Sequence, residues 1–161
     1  IVVPLCADVF SLRGLSNLGP RLREWREQWS DRRSRCPTGA PEIPEGTMQP
    51  LGYVVLQHSI RLDRPARAYE RWVDRIPTVY AEAVLNQPGA SADSFASDPN
   101  CLGLLKHYRS LMPMAHEARK PIFHLRPADG AIGAHMQGVL AARQDFEILA
   151  RSIAERRGLW S

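Results

Sequence analysis

Lysine is nearly missing from this chain: among its 161 residues only Lys106 and Lys120 carry it, so the formal net charge of +4 rests almost wholly on arginine. Guanidinium groups bind phosphate bidentately, which makes the bias compatible with nucleic-acid or nucleotide contact. A GC-rich bacterial coding preference would give the same composition, and charge alone does not choose between them. Cysteine is scarce too. Cys6, Cys36 and Cys101 are odd in number, widely spaced and without a CxxC pair, which argues against a disulfide framework or a zinc site and leaves reduced, structural thiols. No apolar run approaches the ~20 residues that span a bilayer, and no charged-apolar-small signal pattern opens the chain. A cytoplasmic protein with no membrane contact is the expected class. The hydrophobic and charged fractions, 44% and 24%, are those of an ordinary globular domain.

Chemistry-bearing motifs are also thin. His116-Glu117 begins an HExxH pattern, but the second histidine position holds Lys120, so the zinc reading fails on spacing. His107, His116, His124 and His135 are scattered. Gly130-Ala131-Ile132-Gly133 has two glycines where a dinucleotide fingerprint needs three, no GxSxG occurs, and Cys101 has no base partner at sequence level. Nucleophilic catalysis finds no support.

What is present is an α/β pattern. Ile1-Val2-Val3-Pro4-Leu5 is a β-branched run that breaks at Asp8 and Ser11 into a leucine-rich helix, as the buried interior strand of a parallel sheet does; the chain therefore reads as opening inside a fold. Leu12, Leu15, Leu18, Leu22, Trp25 and Trp29 recur at spacings of three and four, predicting a helix over 11–34 with a kink or break at Gly19-Pro20. Residues 37–50 hold four prolines and two glycines and form a surface loop. A second strand over 51–56 completes a β-α-β unit, for which a parallel right-handed crossover is favoured. Pro65 and Pro77 each suit the first turn of a helix. Residues 86–100 form a second loop, Leu102 to Leu105 a short strand, and Ser110 opens a short helix through Ala118. Pro121 to Leu125 reads as the last strand. The closing helix runs over 131–157 with Ile132, Met136, Val139, Phe146, Leu149 and Ile153 near one face, and Gly158 stops it. The expectation is a single α/β domain over 1–161: a partial parallel sheet flanked by helices, incomplete at its front.

In order along the chain, IVVPL with Ala7-Asp8 and Phe10-Ser11-Leu12-Arg13-Gly14-Leu15, then PLGYVVLQHS, then Lys120-Pro121-Ile122-Phe123 with the helix from Ala131 to Ala154, resemble the C-terminal half of a ParA/Soj-like partitioning ATPase of the MinD-related, deviant-Walker P-loop class. The resemblance implies the rear half of a P-loop NTPase fold, an ATPase acting in chromosome or plasmid partitioning, ATP and magnesium as cofactors, a homodimer in the full-length form, a partner protein that stimulates hydrolysis, and non-specific DNA binding. The family's KGGxGK[ST] phosphate loop and Asp-x-x-Pro switch have no counterpart in these residues, so the chain alone is expected to bind ATP weakly and to be inactive. Carried over, Gln57 or His58 stands where the family usually has Asn-Arg beside the adenine, and Pro121, Ile122 and Phe123 lie along the base. Arg151, Arg156 and Arg157 fall in the region through which family members touch DNA. Arg32, Arg33 and Arg35 form another basic cluster. The same arginines can equally be the solvated faces of helices, and a non-catalytic, arginine-rich module binding DNA or an acidic protein is the alternative reading.

Overall fold

The computed structural model describes residues 1–58, 60–61, 64–65, 71–89 and 95–159, without the side chains at 57–58, 60–61, 64–65 and 96. Strand β1 (Val2–Cys6) leads into helix α1 (Val9–Ser34), and a long loop returns the chain to β2 (Gly52–His58). A two-residue hairpin follows, β3 (Ile60–Arg61) with β4 (Arg64–Pro65), then α2 (Ile76–Val79), which continues as a π-helical turn over Tyr80–Val84. Strand β5 (Cys101–Lys106), helix α3 (Leu111–Ala118), two 3₁₀ turns (Ile122–His124 and Pro127–Asp129) and helix α4 (Ala134–Arg156) complete the order.

The fold is α/β: a small, open, three-stranded sheet in the order β1-β2-β5, both pairings parallel, with helices on its two faces. Alternation along the strands divides the core. Val3, Leu5, Tyr53 and Val55 face Leu12, Leu15, Leu22, Ile76 and Tyr80. On the other face Val54, Leu102 and Leu105 meet Phe146, Leu149 and Ile153 of α4. A third cluster joins Tyr108, Leu111, Leu125, Val139 and Ala142, tying α3 to α4 beyond the sheet.

The expected cap of α1 is present: Asp8 is extended and its carboxylate accepts from the Ser11 N–H at 2.7 Å, while Ser11 Oγ accepts from the Cys6 N–H at 3.0 Å. The expected break at Gly19-Pro20 is not; α1 runs unbroken through Pro20, which lies on the exposed side of the helix. Gly19 has a different task. A Cβ built on it would lie 1.6 Å from the Ala83 carbonyl oxygen, so only glycine lets α1 cross the π turn. In that turn Leu85 N–H bonds Tyr80 O, and the displaced Ala83 carbonyl accepts from Arg23.

Other expectations need correction. β1 pairs only with β2 among the described strands, so it stands at the edge of the described sheet, and Pro4 on it is exposed rather than buried. A proline that cannot donate to the ladder suits such an edge. Pro65 does not open a helix but lies in β4, opposite Ile60. The helix expected after it falls partly on 66–70, outside the described residues; 71–73 are helical. Pro121 to Leu125 is no strand. Ile122 and Leu125, three apart, turn together into the α3/α4 cluster through a 3₁₀ turn, a period that a strand cannot satisfy. Ile132 is 64% exposed, and Ala131 takes the buried place instead, because α4 starts only after Gly133 at φ +52°.

Candidate functional site

Open parallel sheets bind ligands outside the carboxyl ends of their strands. Here that edge is formed by the ends of β1, β2 and β5. At the end of β1 the N-terminus of α1 would be a ready anion site, but the Asp8 carboxylate already takes the Ser11 N–H and places a negative charge there. At the end of β2 stand Gln57 and His58, whose side chains lie outside the described residues. At the end of β5 Lys106 pairs with Asp145 at 3.3 Å, and the same carboxylate accepts from the Tyr108 hydroxyl at 2.9 Å. Burial and this bond push the Tyr108 phenol well above its ordinary value.

Beyond β5 the chain builds a groove of about 690 Å³ between α3, the first 3₁₀ turn and α4. Pro121, Ile122 and Phe123 line it together, with His116, Lys120 and Phe146 around them. The Phe123 ring packs against Phe146 at 5.0 Å and meets His124 edge-on at 4.9 Å. Lys120 and Phe123 also border a second hollow of about 510 Å³, where Arg126 and Arg143 bring positive charge. Lys120 Nζ donates to both oxygens of Asp129, at 2.7 and 2.8 Å, and the Arg126 N–H donates to one of them. Those bonds hold the Asp129 carboxyl below its ordinary pKa. Lys120 is thereby paired with a carboxylate, while Arg126 keeps its guanidinium free of any ion pair among the described residues. The combination of an aromatic face and a basic rim suits a flat ring carrying an anionic group.

The three arginines near the end of α4 separate. Arg151 and Arg157 are exposed and enter no ion pair among the described residues. Arg156 instead donates to the Leu51 carbonyl at 2.7 Å and to the Pro99 carbonyl, lacing α4 to the approaches of β2 and β5. Since α1 also ends on this side, Arg32, Arg33 and Arg35 and the α4 arginines share the amino-terminal end of the sheet, opposite the groove's side of β5.

Cys6, Cys36 and Cys101 are free, and burial raises the thiols of Cys6 and Cys101. Among the described residues no cluster of three His, Cys, Asp or Glu side chains could hold a metal, and no helix is long and apolar enough to cross a membrane. Sequence reasoning missed the buried Asp98, which accepts from Tyr53 and Asn100. It lies in the 86–100 stretch, which the sequence shows only as a loop.

No family model, no curated protein and no solved structure matches this chain.

Proposed function

We propose that this chain is the C-terminal portion of a ParA-like, deviant-Walker partitioning ATPase, with the rear half of a P-loop NTPase sheet. The observation that carries the reading is the front of the sheet. Among the described residues β1 is unpaired along its outer side, and at its carboxyl end Phe10 is 79% exposed beside an exposed Val9. A row of unpaired backbone groups beside bare apolar side chains is the surface that a further parallel strand of such a sheet would cover. The parallel β-α-β unit, with Asp8 and Ser11 at the strand-to-helix turn, supports the same reading.

The residues present divide on the family's cofactors. Pro121, Ile122 and Phe123 fit the edge of an adenine ring, and the groove beside them gives it an apolar bed. The triphosphate and magnesium do not fit: the one helix N-terminus at the β1 edge is closed by Asp8, and no glycine-rich phosphate loop exists in these residues. No step of hydrolysis is therefore assigned to this chain. In the complete protein ATP and magnesium would be gripped elsewhere, with dimerisation and a stimulating partner as the family resemblance implies.

The gene decides the matter. The codons preceding that of Ile1 are read for KGGxGK[ST], and the product of the whole frame is assayed for magnesium-dependent ATP hydrolysis with and without duplex DNA. A frame with the loop and with hydrolysis upholds the proposal; a frame with neither overturns it. A second reading, a non-catalytic module that binds DNA or an acidic protein, draws on exposed Arg151 and Arg157 at the same end of the sheet as Arg32 and Arg33.

A further inference from the structure

We propose that the cleft between α1 and the 44–49 segment is a phosphate-binding site, with an adjoining tryptophan groove that receives a flat ring carried on the same ligand. The proposal is independent of the reading above, since the cleft lies at the amino-terminal end of the sheet, away from the groove at Phe123.

Arg26, Ser30 and Arg33 recur at i, i+4 and i+7 and so share one face of α1. Across from them Thr47 and Gln49 complete a cleft of about 400 Å³. Two guanidiniums, two hydroxyls and an amide therefore converge on one space, a donor set that matches the oxygens of a phosphate. The cleft is built in advance. Arg26 Nη2 donates to the Met48 carbonyl at 2.8 Å, and Trp29 Nε1 donates to the Pro44 carbonyl at 2.9 Å, so both ends of the 44–48 segment are pinned to α1. Arg26 Nε is buried there without a partner among the described residues, a donor whose desolvation none of them offsets. Arg33 enters no ion pair among the described residues. Glu45 is the one carboxylate on the rim, and two guanidiniums outweigh it.

Gly46 (φ +62°) separates the cleft from a second, mostly apolar groove of about 360 Å³ lined by Trp25, Trp29, Arg32 and Met48. A Cβ on Gly46 would lie 2.3 Å from the Trp29 ring, so glycine alone allows the segment to turn here. Trp25 is 47% exposed, an indole left open although Leu22, one turn earlier on the same stripe, is buried. An aromatic face one residue from a cationic cleft fits a nucleoside phosphate: the base on indole, the phosphate between guanidiniums. Such a group is carried by a free mononucleotide or by the end of a nucleic-acid strand.

The test titrates the 161-residue chain with inorganic phosphate, with AMP and with a 5′-phosphorylated oligothymidylate at fixed salt, reading tryptophan fluorescence and calorimetric heat. Saturable AMP binding is expected, weakened at least ~5-fold in Arg33→Gln, whose thermal melt stays unchanged because the side chain is exposed and unpaired. Trp25→Ala should weaken AMP while leaving inorganic phosphate binding as it was. Tighter binding of the oligonucleotide than of AMP assigns the strand end as the source; equal or weaker binding assigns the free nucleotide. Absence of saturable binding by all three probes, or an Arg33→Gln chain that binds AMP as well as the unaltered one, overturns the proposal.

Discussion

The Tyr53 hydroxyl donates to the carboxylate of Asp98 at 2.7 Å across 45 residues of sequence, inside the core. The other carboxylate oxygen accepts from the N–H and the side-chain amide of Asn100, at 2.9 and 3.0 Å. A buried carboxylate is tolerated when its lone pairs are filled, and here the donors come from the centre of the sheet and from the turn that delivers β5. Asp98 thus clamps the start of β5 to β2.

Tyr53→Phe removes that donor without changing the ring. The carboxylate keeps the Asn100 donors but loses its contact with the sheet, at a cost of about 1.5–3 kcal/mol for a bond to a charged group. Urea denaturation should give a lower midpoint with an unchanged slope. An unaltered midpoint would mean that water replaces the hydroxyl and that the clamp does not hold the strand.

Two glycines in α1 make opposite predictions. Gly14 has nothing within 4 Å of a built Cβ, so Gly14→Ala should gain the helix-propensity difference, up to about 1 kcal/mol. Gly19→Ala gains the same propensity but drives a methyl into the Ala83 carbonyl, and overpacking costs about 1–3 kcal/mol before any loss of the Arg23 bond to that oxygen. The steric term wins. Thermal melts of the two variants should move in opposite directions.

Alkaline pH should destabilise this protein more than its two lysines would suggest. Burial pushes the Tyr80 phenol up to about 12, and raises Tyr53 further, through burial first and then its bond to Asp98. In the unfolded chain both ionise near ~10. Folding therefore holds protons that the unfolded state releases, so their stabilisation is complete below ~10 and is lost as pH rises towards the folded values. Denaturation compared at pH 8 and pH 11 checks this. Tyr80→Phe should flatten the slope, and it should cost little at pH 8, because the hydroxyl is buried without a hydrogen-bond partner among the described residues.

Much of this architecture was readable in the sequence for a physical reason: over most of the first 58 residues local signals and tertiary demands agree. The leucine stripe of α1, the Asp8 cap and the continuous apolar runs of β1 and β2 point one way, and a parallel pairing follows from the helix between them. Where they diverge, reading fails. Pro121 to Leu125 has strand composition, yet its apolar residues are drawn to α3 and α4 at a spacing of three. Pro20 has the chemistry of a break, yet it sits on the exposed side of α1, which runs through it. The clefts are less legible still. Pro121, Ile122 and Phe123 do come together, as neighbours in sequence must, but the donors Arg26, Ser30 and Arg33 acquire meaning only when the 44–49 segment folds across them.

Arg151, Arg156 and Arg157 look alike in sequence and should behave differently on substitution. Arg156 gives its guanidinium to the carbonyls of Leu51 and Pro99, so Arg156→Ala should lower stability by about 1 kcal/mol, the worth of an ordinary exposed bond, as α4 loosens from the sheet. Arg151 and Arg157 are exposed and hold no described residue by a side-chain bond, so their joint replacement by alanine should leave the melt unchanged. If this end of the sheet meets duplex DNA, each free guanidinium that neutralises a phosphate contributes about 0.9 to the slope of log affinity against log salt. The double variant should then lose about 2 from that slope in an anisotropy titration on non-specific duplex, and Arg156→Ala far less. Equal slopes for all three proteins would exclude this end of the sheet as a DNA contact. A melt lowered by the Arg151 and Arg157 pair would show instead that these side chains support the helix.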